Sequence, residues 1–226
     1  MKFIKTDLGR IFTEPMFFIS TGLNLLLLFG SLFFLLSGGN TDDLYSSANA
    51  LALPFVAPVL AAMPYSVMIM QEKETRYGML MTIKLRKKGY ELLRLLTCGI
   101  SGAAALLIPR AVLLIVCIAM GAAGNIQDAL AGLILPVTFG FGYAAFSYGL
   151  TFVNRQRYVP LIMPQVIYLL CIYAFPYLKL QKIYPPLDIS PEIYGGGLSP
   201  DRFIIPLLLT VTAGLLTIYG KAGGRR

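Results

Sequence analysis

The chain has 226 residues, of which 57% are hydrophobic and 13% are charged, and its mean hydropathy is +0.72. This composition is too apolar and too poor in charge for a soluble domain of this length, and it predicts an integral membrane protein. The net charge of +8 does not indicate nucleic-acid binding, because the basic residues are concentrated in every second connection between apolar runs.

The N-terminal segment, residues 2–15, mixes charged and apolar side chains. Its apolar residues follow helical spacing at Ile4, Leu8, Ile11 and Phe12. We expect an amphipathic helix that lies flat at the inner membrane interface with one face in the lipid. A disordered basic tail is the alternative. A cleavable signal peptide is disfavoured, because Asp7 and Glu14 interrupt the basic region.

Six apolar stretches are long enough to cross a bilayer core, which needs about 20 residues of helix. They are predicted to span the membrane at about 16–36, 51–71, 95–120, 129–153, 159–178 and 203–220. None alternates polar and apolar residues with a period of two, which disfavours a β-barrel. The predicted fold is an all-α membrane protein, a single transmembrane domain of residues 1–226 with six transmembrane helices and an N-terminal amphipathic interfacial helix.

The distribution of basic residues predicts the orientation of this domain. Fifteen of the nineteen Lys and Arg fall in one set of alternate segments and three in the other. By the positive-inside rule, both termini face the cytosol. We expect a multi-pass protein of the cell membrane, a bacterial plasma membrane in particular.

Several predicted spans contain residues that disturb or tighten helices. Span two is expected to be kinked or to start late because of Pro54, Pro58 and Pro64. Span three opens with a run of small residues, 99–105, which lets a neighbouring helix approach closely. Span four contains helix breakers that favour a bent or mobile helix, namely Pro136, Gly140, Gly142 and Gly149. The outer connection 179–202, rich in proline and apolar residues, is predicted to be a re-entrant or surface-lying element.

One arginine and the three cysteines of the chain lie within the spans. Arg110 is a candidate functional charge, because isolated burial of an ion costs several kcal/mol. It lies about 24 Å along span three, near the outer interface, so extension of its side chain outward is the alternative. Cys98, Cys117 and Cys171 are expected to be apolar filler without a disulfide framework.

No catalytic motif is recognisable in the chain. The phosphate loop G-x-x-x-x-G-K-[ST] is absent, and with no His the common Ser–His and H-E-x-x-H sites cannot form. We expect that the chain is not an enzyme and binds no cofactor or metal itself.

The connection between spans two and three, 72–94, is the cytosolic feature with the most information. Residues 71–94 hold seven of the nineteen basic residues. Tyr77, Leu80, Met81 and the stem of Lys84 fall on one face of a short helix, with Glu72 and Glu74 on its N-terminal side. Such a helix can dock into a groove on a soluble partner.

These features together resemble the ABC-2 type transporter permeases, with a type V exporter-like transmembrane domain. The resemblance covers the six spans, the amphipathic N-terminal helix, the E-x-E-x-x-x-G segment of Glu72, Glu74 and Gly78, and the K-K-G-Y sequence at 87–90 that leads into span three. It implies a permease subunit of an ATP-binding cassette exporter. Two such chains, identical or homologous, would pair with two cytosolic ATPase subunits that hold ATP and Mg.

The resemblance also implies roles for particular residues. The stretch 76–86 would be the coupling helix, and the implied ATPase-coupling interface consists of Glu72, Glu74, Arg76, Tyr77, Gly78, Leu80, Met81 and Lys84. The N-terminal helix would be the connecting helix at the same interface, through Leu8, Ile11, Phe12 and Glu14.

The expected function is therefore export of a hydrophobic or amphipathic substrate, such as a peptide, a lipid or a drug-like molecule. Membrane lipid is an expected partner, and nucleic acid is not. One alternative is a membrane scaffold or assembly factor unrelated to ABC transporters. The other is a small secondary transporter or channel, which the scarcity of intramembrane acids and of internal repeats disfavours.

Overall fold

A computed structural model describes residues 2–38, 44–74, 90–153, 156, 158–179 and 203–223. These residues form eight helices, and none of them lies in a strand. The helices are α1 (Lys2–Thr13), α2 (Pro15–Ser37), α3 (Leu44–Glu74), α4 (Tyr90–Ala119), α5 (Ile126–Gly132), α6 (Ile134–Val153), α7 (Val159–Tyr177) and α8 (Ile204–Gly223). The all-helical fold predicted from the sequence is confirmed for this part of the chain.

The N-terminal segment is helical, so the alternative of a disordered tail is wrong. α1 ends at Thr13, and Glu14 then adopts an extended backbone conformation with φ −70° and ψ 134°. Pro15 follows at the first position of α2, where its missing N–H costs no hydrogen bond. The chain therefore changes direction between α1 and α2 with one extended residue.

Two helix boundaries differ from the sequence-based prediction. α3 begins at Leu44, ahead of all three prolines that were expected to delay it, and the Leu44 N–H donates to the Ala122 carbonyl at 3.1 Å. The predicted fourth span, 129–153, is divided at Leu133 into the end of α5 and the whole of α6. Local apolar content does not determine either boundary.

Glycines bring α4, α6 and α8 into close contact, as the run of small residues in span three predicted. A Cβ added to Gly102 would lie 2.6 Å from the Gly140 carbonyl oxygen, and one added to Gly140 would lie 2.5 Å from that of Gly102. A Cβ added to Gly142 or to Gly149 would lie 2.9 Å from the Cα atom of Pro206 or of Ala213 in α8. Close packing therefore accounts for the glycines that favoured a bent or mobile α6.

Among the described residues, two helices, α2 and α4, are long and apolar enough to cross a membrane. Only 28% of the apolar window of α2 is buried inside the protein, and half of that of α4. The surface of α2 instead exposes large apolar side chains, including those of Phe18, Leu26, Phe33 and Phe34. The chain is thus compatible with a membrane protein, because a core helix of a soluble protein would bury these residues.

The main apolar core lies among α2, α3, α4, α6, α7 and α8, and a second apolar cluster lies near α1. Cys98 and Cys117 are buried and Cys171 is half-buried, and the three residues form no disulfide bond with one another. The second cluster includes Ile11 of α1 and Tyr65 of α3, and it lies beside a polar site formed by α1, α3 and α4.

Candidate functional site

A buried network of charged and polar side chains joins α1 to α3 and α4. It begins at Asp7 of α1, which is 3% exposed. The Asp7 carboxylate accepts hydrogen bonds from the Tyr65 hydroxyl of α3 at 3.0 Å and from the Thr97 hydroxyl of α4 at 2.8 Å. One carboxylate therefore holds side chains from two other helices.

Arg94 of α4 continues the network from Tyr65. Its Nε donates to the Tyr65 hydroxyl oxygen at 2.8 Å, and its Nη2 forms an ion pair with the Glu72 carboxylate of α3. The guanidinium carbon also lies 5.5 Å from the ring centroids of both Tyr65 and Tyr90, within the range of cation–π attraction. Arg94 is 6% exposed, so these contacts replace its hydration.

Glu72 returns the network to α1. Its second carboxylate oxygen accepts a hydrogen bond from Nη2 of Arg10 at 3.1 Å. The path runs from Asp7 through Tyr65, Arg94 and Glu72 to Arg10, which lies one turn beyond Asp7 on α1. Two carboxylates and two guanidinium groups balance one another, as the burial of charge requires.

Helical spacing explains why these side chains converge. Tyr65 and Glu72 are seven residues apart on α3, which places them on one face two turns apart. On α4, Arg94 and Thr97 are three residues apart and share a face for the same reason. Each helix thus presents its polar groups to the same space.

An apolar cluster lies against the network and seals one side of it. Ile11 of α1 is completely buried and packs with Met68, Ile69 and Leu95, among other residues. The Tyr65 ring contacts the Tyr148 ring of α6 edge to face at a centroid distance of 5.8 Å. α1 is therefore inserted into the bundle by one face and does not merely rest on it.

The predicted connecting-helix residues fall in several environments. Ile11, expected on a lipid-facing stripe, packs inside the protein. Leu8 and Glu14 are half-buried. Phe12 is exposed, and its ring contacts Phe17 of α2 at a centroid distance of 4.9 Å. The buried face of α1 is thus the one that carries Asp7 and Ile11, because the carboxylate finds partners there.

Most of the predicted ATPase-coupling residues lie outside the described residues, namely Arg76, Tyr77, Gly78, Leu80, Met81 and Lys84. Glu74 is the last residue of α3, and its side chain also lies outside the described part. Glu72 is described, and it is 7% exposed and bonded inside the protein. Its carboxylate therefore faces the network in this structure.

Arg110 is completely buried on α4. Its side chain does not extend outward to an exposed position, so the alternative of outward extension is wrong for this structure. The reason is its place on the packed face of α4, between Leu106 and Leu113, which are also completely buried.

Sequence reasoning missed the network itself. Arg94 was recognised only as one of the charges that determine orientation, and Tyr65 and Thr97 were not recognised. The one local signal was Asp7, the only acid of α1, which lies four residues from Ile11 on the same helical face.

The network contains no nucleophile paired with a base, and its groups are engaged with one another. The network attaches α1 to α3 and α4. Glu72 lies near the end of α3 and Arg94 near the start of α4, so their ion pair holds together the two helix ends that flank the connection 75–89.

Comparison of the chain with known protein families, with curated proteins and with solved structures gives no match.

We predict that Arg94→Met destabilises the protein by about 3–5 kcal/mol, because it leaves buried carboxylates without their main counter-ion. Arg10→Met is the matched control. The Arg10 side chain is 39% exposed against 7% for Arg94, so its loss should cost at most about 1 kcal/mol. Unfolding of the purified chain in detergent measures both, and equal losses would contradict the network as described.

Proposed function

We propose that the chain is a membrane-embedded permease subunit of the ABC-2 type. In this proposal it exports a hydrophobic or amphipathic substrate and is driven by ATPase subunits that bind its basic cytosolic connection. The observation that carries the proposal is the attachment of α1 to both ends of that connection, through Asp7, Arg10, Glu72 and Arg94.

The exposed surface supports the membrane part of the proposal. Apolar side chains cover the outside of α2, and Ile115 of α4, Leu170 of α7 and Ile218 of α8 are each more than 60% exposed. Large apolar surfaces of this kind are stable in lipid and unfavourable in water. We infer that the six helices predicted to cross the membrane, α2, α3, α4, α6, α7 and α8, do so with both termini in the cytosol.

The network supports the coupling part. A partner that pushes on residues 76–86 displaces the end of α3 and the start of α4, which the Glu72–Arg94 pair holds together. Because Asp7 and Arg10 belong to the same network, α1 moves with them. A force applied at the connection would thus reach three helices at once.

The proposed topology predicts which sites a membrane-impermeant maleimide can reach. In a Cys171→Ser background, Gly9→Cys places a thiol at an exposed position of α1, where an added Cβ meets no atom within 4 Å, and Gln127→Cys places one at an exposed position of α5. In spheroplasts, Gln127→Cys should be labelled, whereas Gly9→Cys should react only after permeabilisation. The reverse pattern, or labelling of both in intact spheroplasts, would show that the proposed topology is wrong.

The proposed ATPase contact is tested by co-purification from native membranes after cross-linking. A variant with Lys84→Glu, Lys87→Glu and Lys88→Glu should recover at least about tenfold less of a P-loop ATPase than the wild-type chain, because complementary charge steers such contacts. The control carries Arg155→Glu and Arg157→Glu, in the other predicted inner connection, and should recover as much as the wild-type chain.

Retention of the ATPase by the triple variant would contradict the assigned interface. Recovery of a partner without a P-loop would favour the scaffold alternative. Movement of a fluorescent phospholipid in vesicles that contain this chain alone, without ATP, would favour the secondary transporter.

A further inference from the structure

Three of the prolines inside the described helices leave backbone carbonyls without their helical donor, at positions where the hydrogen bonds of those carbonyls are described. In a helix, the N–H of a residue bonds the carbonyl four residues earlier, and proline has no N–H. Pro64 of α3 therefore frees the carbonyl of Leu60, and Pro109 of α4 frees that of Ala105. Pro164 of α7 likewise frees the carbonyl of Pro160.

Each freed carbonyl accepts a hydrogen bond from a side chain on a neighbouring helix. The Ser20 hydroxyl of α2 donates to Leu60 at 2.6 Å, and the Asn24 amide of α2 donates to Ala105 at 3.1 Å. The Ser147 hydroxyl of α6 donates to Pro160 at 2.6 Å. All three donor side chains are completely buried.

The other prolines of the described helices are consistent with this pairing of freed carbonyls and side-chain donors. Pro15, Pro136, Pro160 and Pro206 lie in first turns, where no helical donor is lost. The prolines at 54, 58 and 176 correspond to the carbonyls of residues 50, 54 and 172, and these three residues are not among those whose side chains are described.

Four described side-chain bonds to a carbonyl connect different helices, and three of them end on a proline-freed carbonyl. The fourth joins the Cys98 thiol to Ala144. Among the described bonds from a side chain to a carbonyl, those that connect different helices are therefore concentrated at the proline breaks.

The two donors on α2 are four residues apart and so lie on the same face, one turn above the other. From that face, Ser20 reaches α3 and Asn24 reaches α4. Proline inside a helix weakens the helix locally and favours a bend. We propose that Ser20 and Asn24 are positioning residues that limit bending of α3 at Pro64 and of α4 at Pro109 by bonding the freed carbonyls.

The position of Pro64 connects this arrangement to the charge network. Tyr65, the next residue, bonds Asp7 and Arg94, and Glu72 lies two turns further along the same part of α3. Bending at Pro64 therefore moves the network-bearing end of α3 relative to the rest of the helix. One part of this inference rests on the proposed function, namely that an ATPase partner supplies the force that bends α3.

In an apolar medium, a carbonyl without a donor is costly, and an interhelical hydrogen bond compensates for part of that cost. When Pro109 is replaced by Ala, residue 109 regains an N–H and Ala105 is bonded within α4. The Ala105 carbonyl then no longer needs the hydrogen bond that the Asn24 amide donates. This dependence on proline distinguishes the proposed role from ordinary packing.

The test is a double-mutant cycle on the purified full chain in lipid nanodiscs. Asn24→Leu alone should lower the equilibrium constant for folding about 3- to 20-fold. In a Pro109→Ala background the same substitution should lower it less than about twofold. Ser20→Ala with Pro64→Ala forms a second, independent cycle should Asn24→Leu fail to fold.

Ser31→Ala is the matched control, since Ser31 is a buried serine of α2 whose hydroxyl donates to Leu27 of its own helix at 2.9 Å. Its effect should be the same with and without either proline. If Asn24→Leu and Ser20→Ala keep their full effect in the alanine backgrounds, the proposal is overturned.

A distance measurement gives a readout that loss of packing alone would not produce. Spin labels on cysteines at the exposed positions Leu96 and Ile118 of α4, in a Cys171→Ser background, flank Pro109 at about 33 Å in a straight helix. Asn24→Leu should broaden the distance distribution, and adding Pro109→Ala should narrow it again. An unchanged distribution in Asn24→Leu would contradict the proposal, and neither measurement needs a partner ATPase.

Discussion

The ion pair between Glu72 and Arg94 is the constraint on which the polar end of this structure depends. Both groups are almost completely buried, and an ion removed from water must be paired. Because one belongs to the end of α3 and the other to the start of α4, the pairing closes the base of the connection 75–89. Asp7 and Arg10 then attach α1 to the same point, and the tyrosine rings beside Arg94 shield the charges.

The remainder of the bundle is held together by a different set of contacts. In a membrane, lipid tails contact apolar side chains as favourably as a neighbouring helix does. Helices there need close backbone approach or polar contacts to associate specifically. Gly102 and Gly140 supply the first, and Ser20 and Asn24 supply the second at carbonyls that proline has freed. The prolines thus create the acceptors that join α2 to α3 and α4.

Local sequence patterns were sufficient for part of this picture. Apolar runs predicted helices in all six long stretches, and the spacing of Leu8 and Ile11 predicted α1. The small residues of α4 predicted a close neighbour. These features depend on periodicity and side-chain size, which are visible within one turn or two of helix.

Long-range pairing could not be predicted in this way. Asp7 and Thr97 are 90 residues apart, and Arg10 and Glu72 are 62 residues apart. No periodic signal records such a partner. For the same reason no local pattern indicated that Glu72, a member of the implied ATPase-coupling interface, pairs with Arg94 and Arg10. The capped carbonyls of Leu60 and Ala105 also depend on α2, a separate helix.

The central claim is that the buried network holds α1 to both ends of the connection 75–89. Hydrogen exchange of the purified chain in lipid nanodiscs tests it most directly, by comparing Glu72→Gln with Glu14→Gln, the same substitution at a half-buried residue outside the network. Glu72→Gln should accelerate exchange at least about tenfold in α1 and in the second turn of α4, residues 94–97, while α2 stays protected. Unchanged protection of α1 in Glu72→Gln would contradict the account.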